Sequence, residues 1–306
     1  MPRTILGPGA HSGTVGEIQR ALLAAGFDPD GTDGIYGQDT TAAVKAFQRS
    51  ERLPTTGIVD DVTWQALMQK PVPATDVRSL ELTAAFEGHG YTLAVGNFDG
   101  AWLTWGIIGF TLKYGQIQKI LININSTRPQ IIAKAFGDNA GEILRVMNSS
   151  PQEQEHWANA VTVEGRLAEP WRTDFDRLGR FPEIMEEQRR VAREGYFVPS
   201  LNMARSCGLK TELGLALCFD IQVQNGGIKE KARTAIQQVL SQNSPFGEQE
   251  LRRIIANAVA DDASPKYKED VRQRKLTIAN GAGTVHKYNY VLENWGLSEA
   301  AAPELG

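Results

Sequence analysis

The sequence predicts a mainly α protein of the α+β class, built as a small helical N-terminal domain and a larger, mostly helical second domain with one small β element. Three observations predict it. Most of the 306 residues fall in segments whose apolar positions recur at helical spacing and are broken by Gly and Pro. Only the stretch from about residue 91 to 111 mixes turns, glycines and short apolar runs in the manner of a hairpin. The composition, 42% hydrophobic and 22% charged, is that of a soluble globular chain, and the length suits one large or two ordinary domains.

The first helix is read from "VGEIQRALLAAGF", with Val15, Ile18, Leu22 and Leu23 on one face. "DPDGTDGIYG" is a turn. "QDTTAAVKAFQRSERL" is a second helix, capped by Thr40 or Asp39, with Ala43, Val44 and Phe47 facing inward. "PTTGIVDDVTWQALM" is a turn followed by a short helix carrying Trp64 and Leu67. "DGIYGQDTTAAV" and "TGIVDDVTWQAL" echo each other, each turn feeding a helix. "QKPVPATDVR", with Pro71 and Pro73, reads as a short stiff linker. The expected boundaries are 1–70, a linker over 71–77, and a second domain over 78–306.

In that second domain "LELTAAFE" is an apolar helix, and Gly88 to Gly106 is irregular or a hairpin. Helices follow in "GQIQKILININS", "RPQIIAKAFGDNAGEILRVMN", "PQEQEHWANAV" and "PWRTDFDRLGRFPEIMEEQRRVAREGYF". Leu213 to Val223 is almost wholly apolar, which predicts a helix buried on most of its surface. "GEQELRRIIANAVADD" and "YKEDVRQRKLTIANG" are amphipathic helices, and few strands are expected outside residues 91–111.

Charge and cysteine content exclude several classes. A formal net charge of −4 gives no broad field to hold nucleic acid or an anionic membrane. No apolar run is long enough to span a bilayer, so no membrane insertion is expected. Cys207 and Cys218 do not make a disulfide framework and are expected as free, buried thiols. No Cys/His cluster has metal-ligand spacing, so neither a metal nor a cofactor is expected. A monomer is expected. "MPRTILGPGAHSG" lacks the apolar core of a signal peptide. The expectation is synthesis in the cytoplasm, with some other route to any target outside.

Two carboxylates in "AAFEGHGYTLAVGNFDGAWLTWGIIGF" stand out. Glycoside hydrolysis needs an acid to protonate the leaving oxygen and a carboxylate across the sugar ring. An apolar setting favours the protonated acid and a polar one the carboxylate. Glu87 ends an apolar helix, while Asp99 sits in the polar turn "GNFDG". They form a candidate acid/base pair.

Two resemblances refine this reading. Ile18-Gln19, Asp33-Gly34-Ile35-Tyr36-Gly37, Thr40, Ala43-Val44, Phe47-Gln48, Gly57-Ile58-Val59 and Thr63-Trp64 follow the pattern of the three-helix peptidoglycan-binding domain, common in cell-wall hydrolases. Asp33, Tyr36 and Gln38, beside the turn, are the candidate ligand contacts, and peptidoglycan glycan strands the implied partner. "FDGAWLTWGIIGF" resembles a segment of the family 46 glycoside hydrolases, the chitosanases. That resemblance implies a lysozyme-like second domain, Glu87 as general acid, Asp99 as base and Thr104 as the residue that orients the attacking water. "EGYFVPSLNMARSCGLKTELGLALCFDIQVQNGG" resembles a second run of that family. It implies that Asp220 pairs with an arginine behind the acid, Arg274 first and Arg272 as runner-up. A buried Asp on an apolar helix needs such a partner in any case.

The likeness has gaps. The span between Glu87 and Asp99 is shorter than in typical chitosanases. Ala101 stands where the family has Arg, and Gln116 where it has an acid suited to a free amine. A glutamine can hydrogen-bond an amide, which favours an N-acetylated sugar. His89, Tyr91, Trp102, Gln116 and Asn225 are the further candidate substrate contacts; of Trp102 and Trp105, one is expected in the core. The expected activity is peptidoglycan hydrolysis of the lysozyme type at the β-1,4 bond, with inversion implied by the resemblance. A chitosanase is the alternative, and a non-catalytic wall-binding phage or secretion-system component is the alternative of another class. A phage endolysin and a secreted antibacterial effector both suit a chain without a leader.

Overall fold

The computed structural model describes residues 2–88, 90–242 and 246–306. Its contacts group into two compact units. One joins the chain up to Phe86 to Tyr196–Gly306, and the other is Glu87–Gly195.

The first unit opens with β1 (Thr4–Leu6), α1 (Gly13–Ala24), α2 (Gln38–Ser50), β2 (Val59–Asp60) and α3 (Asp61–Met68). β1 and β2 pair antiparallel, Thr4 opposite Asp60. Val15, Ile18, Leu22, Val44, Phe47 and Trp64 form the buried centre. Ser12 caps α1 and Asp60 caps α3, each side chain accepting from a backbone N–H of the first turn. The N-cap of α2 is Gly37, not Thr40 or Asp39; Thr40 is buried within the helix and accepts from Gln19 Nε2 at 3.0 Å. The echo in the sequence has a structural basis. Gln19 accepts from Gly34 N and donates to Ile35 O and Thr40 Oγ1. Gln48 accepts from Gly57 N and donates to Ile58 O and Thr63 Oγ1. One buried amide therefore ties each turn to the helix that follows it.

α4 (Thr75–Glu87) begins inside the expected linker, and Arg78 Nε donates to Pro73 O at 2.9 Å. α4 is buried almost all round. In Glu87–Gly195 the short strands β3 (Ala94–Val95), β4 (Thr104–Trp105) and β5 (Phe110–Thr111) form an antiparallel sheet. The helices α5 (Gln116–Thr127), α6 (Pro129–Phe136), α7 (Ala140–Met147) and α8 (Pro151–Ala160) follow. Next come the hairpin β6 (Thr162–Val163) and β7 (Arg166–Leu167), then α9 (Trp171–Gly179) and α10 (Pro182–Ala192). Trp105, Phe110, Phe136 and Phe175 fill the core of this unit. Gly179 has to be glycine: a Cβ there would lie 2.3 Å from Tyr91 O.

The first unit resumes with α11 (Val198–Ser206), α12 (Glu212–Asn225), α13 (Glu230–Gln242), α14 (Glu248–Asp261) and α15 (Lys268–Asn280). It ends with the hairpin β8 (Ala282–Val285) and β9 (Tyr288–Val291). α12 is buried from Glu212 to Ile221, as its composition predicts. α13 was not expected, because its inward apolar face is thin, with Ala232 and Ile236 buried. The strand pairs outside residues 91–111 are few, as expected; at two to four residues per strand they are too short to show a period of two. Cys218 is buried and Cys207 half-buried, both as free thiols.

The N-terminal helices pack on the C-terminal part of the same unit. Arg3 and Arg78 both pair with the buried Glu212, Arg78 at 3.0 Å. Gly7 N donates to Asn294 O at 2.9 Å, and Thr14 donates to Glu81 through both its N–H and its hydroxyl. His11 packs its ring against Tyr288, Tyr290 and Trp295. A carboxylate as buried as Glu212 needs its cations, and they come from Arg3 and Arg78. By its contacts the chain groups into units that meet at Phe86 and Tyr196.

Candidate active site

Glu87 is the last residue of α4 and is half-buried. The chain turns at once, with Gly88 at φ +67. Asp99 is exposed in a turn that Asn97 organises. Asn97 Oδ1 accepts from Gly100 N and Trp102 N, both at 3.1 Å, and Asp99 Oδ1 accepts from Ala101 N at 3.1 Å. Asn97 is itself anchored, its N–H donating to Thr162 Oγ1 at 2.9 Å and its Nδ2 to Asn159 Oδ1 at 2.7 Å. Side-chain oxygens thus satisfy the turn's backbone donors, which leaves a carboxylate displayed on a fixed loop.

Thr104 is half-buried in β4, opposite Val95 on one side and Thr111 on the other. Gln116 starts α5, and its Oε1 accepts from both the N–H and the hydroxyl of Thr111, at 3.0 and 2.9 Å. That carbonyl already serves the sheet. Tyr91 is buried: Arg189 Nε donates to its hydroxyl at 2.8 Å and Gln188 Nε2 to its carbonyl at 3.0 Å. Gln188 also accepts from Ile107 N at 2.9 Å, so one buried amide joins the two ends of the hairpin. A Cβ on Gly106, at φ +86, would lie 2.4 Å from Gln188 Oε1.

Trp102 and Trp105 are both buried, and Trp105 Nε1 donates to Phe175 O at 3.2 Å. Neither presents an open face, so the reading of Trp102 as a sugar platform is replaced by a core role. The aromatics that are exposed near Asp99 are Phe98, at 63%, and Tyr114, at 73%. His89 lies outside the described residues.

Asp220 and Arg274 are paired and buried. Arg274 Nε lies 2.9 and 3.0 Å from the two carboxylate oxygens, and Nη2 lies 2.6 Å from Oδ1. Lys275, which the sequence did not single out, donates to the same carboxylate. Burial opposes the charge on Asp220, but Arg274 and Lys275 outweigh it and hold its pKa at about 2. Arg272 pairs instead with Asp261 at the surface. Thr83 Oγ1 donates to Asp220 Oδ1 at 3.0 Å, and the Arg274 guanidinium lies 5.3 Å from the centre of the Phe86 ring. The cluster thereby fixes α4, the helix that ends at Glu87. Asn225 ends α12, and its buried Oδ1 has no hydrogen-bond partner among the described residues. It borders a small cavity of about 20 Å³ with Lys229 and Asp262.

In the N-terminal module Asp33 and Gln38 are exposed. Asp33 sits below the usual carboxylate range because Gln19 and the Ile35 N–H donate to it. Tyr36 is buried, and its hydroxyl donates to Gly57 O at 3.0 Å. It is a core residue, leaving Asp33 and Gln38 as the candidate wall contacts. Among the described residues no group of three or more His, Cys, Asp or Glu side chains is placed to hold a metal, and no helix is long and apolar enough to cross a membrane.

The geometry is that of a helical domain with a small sheet, carrying one carboxyl at a helix end and one on a rigid turn. Comparison with known proteins agrees with that class. Residues 11–67 match the family model of the peptidoglycan binding domain. A stretch of 66 residues is 41% identical to the N-acetylmuramoyl-L-alanine amidase CwlL of Bacillus licheniformis; it covers 21% of this chain and 18% of the amidase. The fold is that of the GH46 chitosanases. The chitosanase of Gynuella sunshinyii, solved with chitotetraose, is 15% identical with a TM-score of 0.51, covering 72% of this chain and 99% of that one. The native chitosanase of Bacillus subtilis MY002 is 19% identical with a TM-score of 0.52, covering 70% and 96%.

Proposed function

We propose that the protein is a peptidoglycan hydrolase that cleaves the β-1,4 glycosidic bond of the bacterial wall. The observation that carries the reading is the union, in one chain, of a peptidoglycan-binding sequence at residues 11–67 and a chitosanase fold. Glu87 protonates the leaving oxygen. Asp99 activates a water on the other face of the sugar, and Thr104 orients that water. The outcome is inversion at the anomeric carbon. The Asp220–Arg274–Lys275 cluster supports the site through α4, where it bonds Thr83 and packs on Phe86. The N-terminal module holds the enzyme on its substrate and raises the local concentration of glycan. The protein acts on the wall after release or delivery from the cell that makes it.

The test is digestion of purified sacculi, with the products resolved by mass. New reducing ends on muramic acid are expected, and Glu87→Gln is expected to abolish them while the variant still sediments with the wall. Full activity in that variant overturns the assignment. A second reading, hydrolysis of glucosamine polymers, is favoured by the chitotetraose in the structural neighbour. Chitosan assayed beside sacculi decides between them.

A further inference from the structure

The turn that follows β5 lies beside Asp99 and has charge and shape of its own. Gly115 N donates to Leu112 O at 3.0 Å, which makes Lys113 and Tyr114 the two central residues of a tight turn. Lys113 N donates to Ala101 O at 3.3 Å, and Ala101 N donates to Asp99 Oδ1 at 3.1 Å. One backbone bond thus joins the Lys113 turn to Ala101, whose own N–H is bonded to Asp99. Leu112 N, bonded to Leu103 O at 2.9 Å, extends the same pairing toward Thr104. Both central residues are exposed, Tyr114 at 73%. Among the described residues no carboxylate pairs with Lys113.

The charge along this part of the chain is one-sided. Between Glu87 and Asp138 the chain holds a single carboxylate, Asp99, against Lys113, Lys119, Arg128 and Lys134. Lys119 is engaged by Glu194 at 2.6 Å. The β6–β7 hairpin, to which Asn97 is bonded, adds Glu164 and Arg166, one charge of each sign. A surface that draws in a polymer of protonated amino sugars needs an excess of carboxylates. Here Asp99 is the single carboxylate of that span, and Lys113, whose N–H is bonded to Ala101 O, has no carboxylate partner among the described residues.

We propose that the Lys113–Tyr114 turn reads the sugar, taking an N-acetylated hexosamine that carries a carboxylate and turning away a cationic one. This rests on the glycosidase reading above. Lys113 pairs with the carboxylate, and the Tyr114 ring offers a large, rigid, partly polar face of the kind that serves recognition at low entropic cost. In peptidoglycan the carboxylate has two sources, the lactyl group of muramic acid and the stem peptide.

The experiment measures binding, not turnover, by calorimetry on the full chain carrying Glu87→Gln, with and without Lys113→Gln, Lys113→Arg or Tyr114→Ala. Four tetrasaccharides are compared: neutral N-acetylglucosamine, peptide-free N-acetylglucosamine–N-acetylmuramic acid, its peptide-bearing form, and glucosamine. The expected result is that an anionic tetrasaccharide binds about fivefold tighter than the neutral one, roughly 1 kcal/mol, and the cationic one weakest. Preference for the peptide-free form assigns the lactyl carboxylate; preference for the peptide-bearing form alone assigns the stem. Lys113→Gln is expected to erase the preference and its sensitivity to salt, and Lys113→Arg to retain it. Tyr114→Ala is expected to weaken all four alike. Equal binding of neutral and anionic forms, tightest binding of glucosamine, or an equal loss on every ligand in Lys113→Gln overturns the proposal. Absence of cleavage by the wild type is a separate result, and counts against the hydrolase reading alone.

Discussion

Arg274 meets Asp220 inside the core, its Nε 2.9 and 3.0 Å from the two carboxylate oxygens. Both side chains are at most 1% exposed, and Lys275 is fully buried beside them. Removing one partner of such a cluster leaves an uncompensated buried charge, at a cost of roughly 3–5 kcal/mol. Arg274→Ala is expected to lose that much in denaturant unfolding. Arg272→Ala, at the surface, is expected to lose less than about 1 kcal/mol. Equal losses would contradict the assignment of Arg274 as the partner.

The same cluster sets an acid limit. The folded pKa of Asp220 is about 2, below an unfolded value of about 3.9. A depressed carboxyl contributes stability above its unfolded pKa and loses it as pH falls through the folded one. The contribution is therefore complete above about pH 5 and gone by about pH 1. Unfolding free energy measured against pH is expected to fall through that window in the wild type. In an Asp220→Asn, Arg274→Met, Lys275→Met triple variant the Asp220 component of that slope is expected to be absent.

A second pH effect sits where the N-terminal helices meet the C-terminal hairpin. Burial against Tyr288, Tyr290 and Trp295 lowers the pKa of His11, with a smaller opposing contribution from Gly9 O. A lowered histidine favours its neutral form in the fold, so this contribution is present above about pH 6.5 and declines as pH falls below it. His11→Phe keeps a ring in place without a charge to take up. The difference in melting temperature between wild type and His11→Phe is expected to move in favour of the variant between about pH 7 and pH 5. A constant difference across that range would remove His11 from the account.

Gln19 and Gln48 hold equivalent places in the two turns of the wall-binding module. Replacing either by Ala strands a glycine N–H and removes the amide's bonds to an isoleucine carbonyl and a threonine hydroxyl, at roughly 1–3 kcal/mol. The two single variants are expected to destabilise by similar amounts in thermal unfolding. A large effect at only one site would mean that the repetition is geometric and not energetic.

The helical architecture was legible because helices announce themselves over many residues. The uniformly apolar run from Leu213 reads as a buried helix, and α12 is one. The acid–turn–strand segment was legible through local chemistry: Glu87 at a helix end and Asp99 in an Asn-Phe-Asp-Gly turn. Long-range partners were legible only where the family resemblance supplied them, as for Asp220 and Arg274. Nothing in "MEEQRR" marks Gln188 as the clamp on Tyr91 and Ile107, and nothing in "QRKLT" ranks Lys275 beside Arg274. Their roles depend on which chain segments meet, a property that hydrophobic period does not encode. Exposure was also misjudged for the aromatics, since Trp102 and Tyr36 look like ligand contacts by residue type but are buried. The packing of the N-terminal helices on the C-terminal segment escaped for the same reason, because two prolines say that a linker is stiff but not that Glu212 will bind both Arg3 and Arg78.

Asn97 deserves a direct test because its work is confined to position. It touches Asp99 only through the backbone it holds, with Gly100 N and Trp102 N on its Oδ1. Asn97→Ala removes those bonds, and with them the anchor to Asn159. The exposed turn keeps its carboxylate and loses its fixed geometry. Misplacing a reacting group by about 1 Å can cost about a hundredfold in rate. The expected outcome on sacculi is therefore a kcat lowered roughly tenfold to hundredfold, with KM nearly unchanged. Asn97→Asp keeps the acceptor for Gly100 N and Trp102 N and is expected to recover part of the rate. A raised KM with kcat intact would place Asn97 among the sugar contacts instead. A melting temperature close to that of the wild type separates either result from unfolding.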